Sequence, residues 1–220
     1  VVMVTGSGPQ DRNSSLLGHQ SFFVLADSFA RHGIASFRYD ERGVGDSGGD
    51  FTEASSKMFA GDAMNAIEAM REYGSPINSE KVGILGHSEG GLIAEILFQE
   101  TKEPSFSVLV APPVAPLDEL LLDQIERNNR HTGKSEEFIN VSLNFYKKLF
   151  SEFEKEVPRD SLKNVIMPLL DEYYASLDSN SVKELPGKFI LYLGLAQQFN
   201  SPWWKELQNT TPAEYIKHVD

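Results

Sequence analysis

At 220 residues, 40% of them hydrophobic, the chain is long enough for one large domain, or a domain with an insertion, built on a sizeable core. Its formal charge of −12, from 20 basic and 32 acidic residues, argues against nucleic acid or an anionic membrane surface as a partner. No apolar run approaches the ~18 residues of a membrane span, and a chain without cysteine has no disulfide, thiolate zinc site or thiol nucleophile, though none of this assigns a compartment.

Residues 1–5 form a strand-like apolar run with no leader before it. Natural domains rarely open inside a buried strand, so the chain is expected to lack residues before Val1. Thr5-Gly6-Ser7-Gly8-Pro9-Gln10-Asp11-Arg12-Asn13 follows as a polar loop at the end of that strand, where a backbone N–H would complete an oxyanion hole. Ser7 is the first choice of donor; Pro9 has no N–H, and Gln10 stands second. The same loop also reads as a plain turn without a ligand.

Between residues 20 and 32, Phe22, Phe23, Ala26, Phe29 and Ala30 recur at helical spacing as core residues, and Gly33 suits the position just past the helix end. Residues 34–39 read as a second strand, followed by the glycine-rich loop 40–50. Its acids Asp40, Glu41, Asp46 and Asp50 would repel a polyphosphate, and it lacks the G-x-x-x-x-G-K-[ST] pattern, so it is not a phosphate cradle. Asp40 and Arg42 read as charges that brace the loop rather than as catalysts. A helix is expected over residues 59–73, with Phe59, Ala63, Ile67 and Met70 on one face and Gly74 beyond its end.

The next stretch, residues 81–101, carries the chemistry. Val82 to Leu85 has the length and composition of a buried strand, and Leu92, Ile93, Ile96 and Leu97 are spaced for one face of a helix. Between them stands Gly86-His87-Ser88-Glu89-Gly90, a G-x-S-x-G pentapeptide. A serine at a sharp strand-to-helix turn sits in strained backbone, and neighbours two residues either side must then lack Cβ atoms. Such a turn lifts the serine Oγ above the sheet and sets the next backbone N–H, that of Glu89, at a helix N-terminus suited to an oxyanion. Ser88 is therefore the expected nucleophile, with Ser7 and Glu89 as the oxyanion donors. The bland reading is a glycine-rich turn with a capping serine.

Residues 106–111 are expected to form one more short buried strand, stopped by Pro112, Pro113 and Pro116. The order strand, helix, strand, helix, strand, helix, strand demands crossovers, hence a parallel sheet with helices on both faces: an α/β fold. After Pro116 the texture changes. Helices are expected over 117–129, 135–156 and 161–177, with residues 191–199 helical in spite of Gly194, and Thr211-Pro212-Ala213-Glu214 is a capping box that opens a last short helix. The domain division is thus 1–116 for the sheet part and 117–220 for a helical cap. Phe138, Phe145, Tyr146, Trp203 and Trp204 either line that cap toward an acyl group or form its core.

The loop 5–13, the Arg38-Tyr39-Asp40-Glu41-Arg42-Gly43-Val44-Gly45-Asp46-Ser47 segment and the Gly86-His87-Ser88-Glu89-Gly90-Gly91 elbow, in this order and spacing, resemble bacterial α/β-hydrolases, the serine esterases related to the serine aminopeptidase and cinnamoyl-esterase groups. The likeness covers residues 1–111 well and the cap loosely. It implies an eight-stranded, mostly parallel sheet in which residues 1–5 are the third strand and 106–111 the sixth. It also implies a helical lid inserted after that sixth strand, a Ser-His-Asp triad, a small-molecule ester as substrate, and neither cofactor nor metal. In such folds the acid follows the seventh strand and the histidine the eighth, and both are expected beyond Asp220.

His19, His32, His87, His131 and His218 are the histidines present. His87 should be aimed away from Ser88 by strand alternation, His19 and His32 flank a helix, His131 lies in a turn, and His218 sits near a helix end; none is expected to be the base. Asp118 is a poor alternative acid. Acyl transfer to water on Ser88 is the leading reading, with an aminopeptidase of the same fold and a non-catalytic hydrolase-fold binding protein as its rivals. Oligomeric state is not legible.

Overall fold

The computed structural model describes residues 1–210 and 212. The chain divides into two compact units, one over Val1–Val114 and one over Ala115–Thr210.

The first unit opens with strand β1 (Val2–Val4), a small antiparallel hairpin of β2 (Ser15–Leu16) and β3 (His19–Gln20), and helix α1 (Ser21–Arg31). Strand β4 (Phe37–Arg38), helix α2 (Ser56–Glu72), strand β5 (Ile84–His87), helix α3 (Glu89–Thr101) and strand β6 (Ser107–Val110) follow. The main sheet is parallel throughout, in the order β4-β1-β5-β6, with Val2 opposite both Phe37 and Ile84, and Gly86 opposite Leu109. Each parallel neighbour is reached through a helix, as parallel pairing requires. Side chains alternate across the sheet: Met3 and its register partner Leu85 meet Phe22 and Ala26 of α1 on one face. On the other, α2 and α3 pack on each other and on β1, and α2 buries Phe59, Ala63, Ile67 and Met70, the stripe its sequence predicts.

The second unit is helical: α4 (Leu117–His131), α5 (Glu136–Glu152), α6 (Leu162–Ala175), α7 (Ser179–Glu184), α8 (Lys188–Asn200) and α9 (Pro202–Leu207). Its starts are chemically marked. Ser135 Oγ accepts from Phe138 N at 3.1 Å to begin α5, Asp178 caps α7, and Ser201 with Pro202 at the first position begins α9. The core is aromatic, with Phe145, Phe150, Phe153, Phe199 and Trp204 around Leu149, Ile166 and Leu170, and the Phe153 and Phe199 rings stack at 4.0 Å. A mostly parallel sheet flanked by helices, with a helical block after the strand that corresponds to the sixth, is the α/β-hydrolase fold.

Several expectations are refined. Residues 191–199 are helical within α8. The second strand shrinks to Phe37–Arg38, because β4 pairs only with the short β1, and β6 is not buried, with Val108 and Val110 exposed, since it stands at the end of the strand order. The hairpin of β2 and β3 was not foreseen; it turns through Leu17 and Gly18, both at positive φ. Phe23 is 51% exposed rather than core: Phe22 and Ala26 hold the inward stripe of α1, and the Arg38 guanidinium stands 5.6 Å from the Phe23 ring instead. Phe138, Phe145 and Trp204 are buried core residues of the helical unit, while Tyr146 and Trp203 are half-buried beside them. The capping box at 211–214 lies, Pro212 apart, outside the described residues, as does His218.

Candidate active site

Ser88 stands between the last residue of β5 and the first of α3 at φ 54°, ψ −122°, a region L-residues avoid. Two glycines make that turn possible. A Cβ on Gly86 would come 2.0 Å from Gly90 O, and a Cβ on Gly90 would come 2.2 Å from Val4 O. The turn is tied down by backbone bonds, Ser88 N donating to Val110 O at 2.9 Å and Gly91 N to Ser88 O at 2.8 Å. Ser88 is half-buried, and Glu89 opens the helix, where backbone N–H groups point out of the helix end. The Glu89 carboxylate is turned inward instead, 5% exposed, and accepts from Ser56 Oγ at 2.7 Å.

The loop after β1 lies against this elbow. A Cβ on Gly6 would stand 3.0 Å from Ser88 Cβ and 3.4 Å from His87 Nδ1, so Ser7 follows directly on the point of contact. Ser7 is exposed, and its N–H has no hydrogen-bond partner among the described residues. Gln10, the second choice as donor, has its N–H committed to Glu41 Oε2 at 3.1 Å. The structure thus brings Ser7, Ser88 and Glu89 into one neighbourhood and commits the Gln10 N–H elsewhere.

Asp40 and Arg42 brace loops, but not by pairing with each other. Asp40 takes Arg12 N at 2.7 Å, Arg12 Nε at 3.0 Å and Asp46 N at 3.1 Å, and this set of donors, led by the Arg12 side chain, holds its carboxyl well below the usual range. Arg42 forms a bidentate pair with Asp62 of α2, at 2.8 and 2.6 Å. Between them in sequence, Glu41 receives the Thr5 hydroxyl as well as Gln10 N. Burial pushes its pKa up to about 7 against the pull of those two donors, with Glu89 and Asp62 adding to the rise. No pattern in the sequence announces Glu41; its partners lie 36 and 31 residues away.

No hydrogen bond joins an imidazole to the Ser88 hydroxyl among the described residues. His87 is exposed, with its ring beside Gly6; His32 Nδ1 meets Ser28 O at 2.8 Å; His19 and His131 are exposed. Among the described residues, no cluster of His, Asp or Glu would hold a metal ion, and no helix is long and apolar enough to cross a membrane.

A sequence model of the family described as "Serine aminopeptidase, S33" matches residues 19–144. Over its whole length the chain is 25% identical to a Thermotoga maritima protein named Esterase EstD, and it spans 58% of that relative. Among solved structures it is similar to DcsB in complex with its substrate analogue, at 18% identity and a TM-score of 0.44 over 61% of this chain and 45% of that one. It is also similar to the alpha/beta hydrolase GrgF from Penicillium sp. sh18, at 16% identity and a TM-score of 0.44 over 91% of this chain and 68% of that one.

Proposed function

The chain belongs to the serine aminopeptidase S33 family of α/β-hydrolases, and on that footing we propose that it cleaves carboxylic esters through an acyl intermediate on Ser88. Ser88 Oγ attacks the ester carbonyl carbon, and its proton passes to a histidine outside the described residues. The Ser7 and Glu89 N–H groups hold the tetrahedral oxyanion. Collapse expels the alcohol, which takes the proton from that histidine, and water then releases the acid by the same route in reverse. The observation that supports this reading is the backbone of Ser88, held at φ 54° by a turn whose flanking glycines leave no room for a Cβ. Strain of that kind persists where the surrounding structure enforces it, and it clusters at reactive sites. The helical unit is assigned the selection of the acyl chain.

The name of the Thermotoga maritima relative favours an ester, and the description of the matched family favours the second reading, an aminopeptidase in which carboxylates of the helical unit receive the substrate amine. Turnover of short p-nitrophenyl esters against aminoacyl p-nitroanilides separates the two. Failure of the full-length protein on both leaves a binding protein of hydrolase fold. Ser88→Ala is expected to lower kcat by about 10⁴-fold or more while the circular dichroism spectrum is unchanged, since the hydroxyl acts in the transition state. A variant that keeps its rate rules Ser88 out as nucleophile.

A further inference from the structure

We propose that Glu41 is a positioning residue for this hydrolase, its carboxylate closing both ends of the Thr5–Gln10 loop so that the Ser7 N–H is held beside Ser88. The inference rests on the acyl-transfer reading and adds to it the group that fixes one oxyanion donor. Glu41 Oε1 receives the Thr5 hydroxyl, Oε2 receives Gln10 N at 3.1 Å, and Glu41 N donates to Gln10 O at 3.2 Å. Thr5 and Glu41 are 4% and 7% exposed, so the bracket is out of water, where a carboxylate is kept only with its donors in place. The loop between these anchors has little to hold it. Ser7 and Pro9 are exposed, Gly8 lies at φ 95°, and the bond across the apex is a long one, Gln10 Nε2 to Ser7 O at 3.4 Å. Its shape is therefore set from its ends, and both ends terminate on one side chain. Gly6 runs so close to Ser88 that a Cβ on it would stand 3.0 Å from the serine Cβ, and this proximity passes the constraint to the reacting centre. Displacement of a donor by an ångström is enough to forfeit much of its effect on the transition state.

The test uses the full-length protein with whichever of the ester and the amide it turns over, and measures kcat, KM, and the inhibition constant of a boronic acid that mimics the tetrahedral adduct. Glu41→Ala is expected to lower kcat about 100-fold, to move KM less than about threefold, and to weaken the boronic acid by the same factor as kcat. Glu41→Gln can still accept from Gln10 N and donate to the Thr5 hydroxyl, and is expected within about fivefold of wild type. Thr5→Val, which removes one donor without changing side-chain shape, is expected to lose about tenfold in kcat and carries the test if Glu41→Ala does not fold. A Glu41→Ala or Thr5→Val protein with normal kcat and only a lowered Tm overturns the proposal, as does a Gln variant as impaired as the Ala one. An active Ser88→Ala protein would instead sink the nucleophile reading on which it stands.

Discussion

Glu95, in the middle of α3, is 2% exposed, and neither carboxylate oxygen meets a donor among the described residues. Burial raises its pKa from the usual 4.5 to about 7. The folded protein therefore holds this proton more tightly than the unfolded chain does, and the penalty, absent below pH 4.5, grows as pH rises toward 7. It amounts to about 3 kcal/mol once the carboxyl is ionised in both states. Glu41 adds a change of the same sign, but its replacement would also undo the loop bracket. Glu95→Met, close in volume and with no polar atom to leave unpaired, is expected to raise Tm at pH 8 by several degrees and to change it little at pH 4.5. A gain equal at both pH values would mean that packing, not ionisation, limits stability at this position.

At the scale of elements, α5 shows how local chemistry and packing combine. Ser135 begins it, Glu136 and Glu137 put acid in its first turn, and Phe138, Phe145 and Leu149 lie along the face it buries. Leu149 is fully buried in the aromatic cluster that unites α5, α6, α8 and α9. Leu149→Ala is expected to cost about 2–5 kcal/mol through lost burial and the cavity left behind. Because the first unit has a separate core around Met3, Phe22 and Leu85, the loss should be local. Hydrogen exchange is expected to speed up across α5, α6 and α8 and to be unchanged in α2 and α3. Equal acceleration in both units would show that they open as one.

Across the whole molecule, each unit holds a core of its own, and residues 112–116, with Pro112, Pro113 and Pro116, lead from one to the other. The proposed lid makes a claim about selectivity rather than about chemistry. The helical unit exposes the apolar side chains of Phe189, Ile190 and Leu193 of α8, 50% or more accessible each. Removal of residues 117–210 from the full-length protein is expected to shift the acyl-chain preference toward shorter esters while labelling of Ser88 by a fluorophosphonate persists. An unaltered chain-length profile would remove the lid from the mechanism.

The sequence by itself determined the motif and the order of strands and helices around it, though not the small hairpin of β2 and β3. Apolar residues at 59, 63, 67 and 70, the glycines at 86 and 90, and the prolines after Ala111 act through neighbours within one or two turns, so their meaning is complete in the local chain. The strained φ at Ser88 was legible for the same reason, since it follows from the steric demand of a strand-to-helix turn. That Asp40 and Arg42 brace loops was also legible; that they do so toward Arg12 and Asp62, and that Glu41 between them grips Thr5 and Gln10, was not. Only the tertiary structure decided these pairs, together with the commitment of the Gln10 amide and the outward turn of Phe23. The reason is physical: a hydrogen bond between residues 20 to 36 apart exists only after the chain brings the end of one strand beside that of another or beside a packed helix, and no local periodicity records which donor then meets which acceptor.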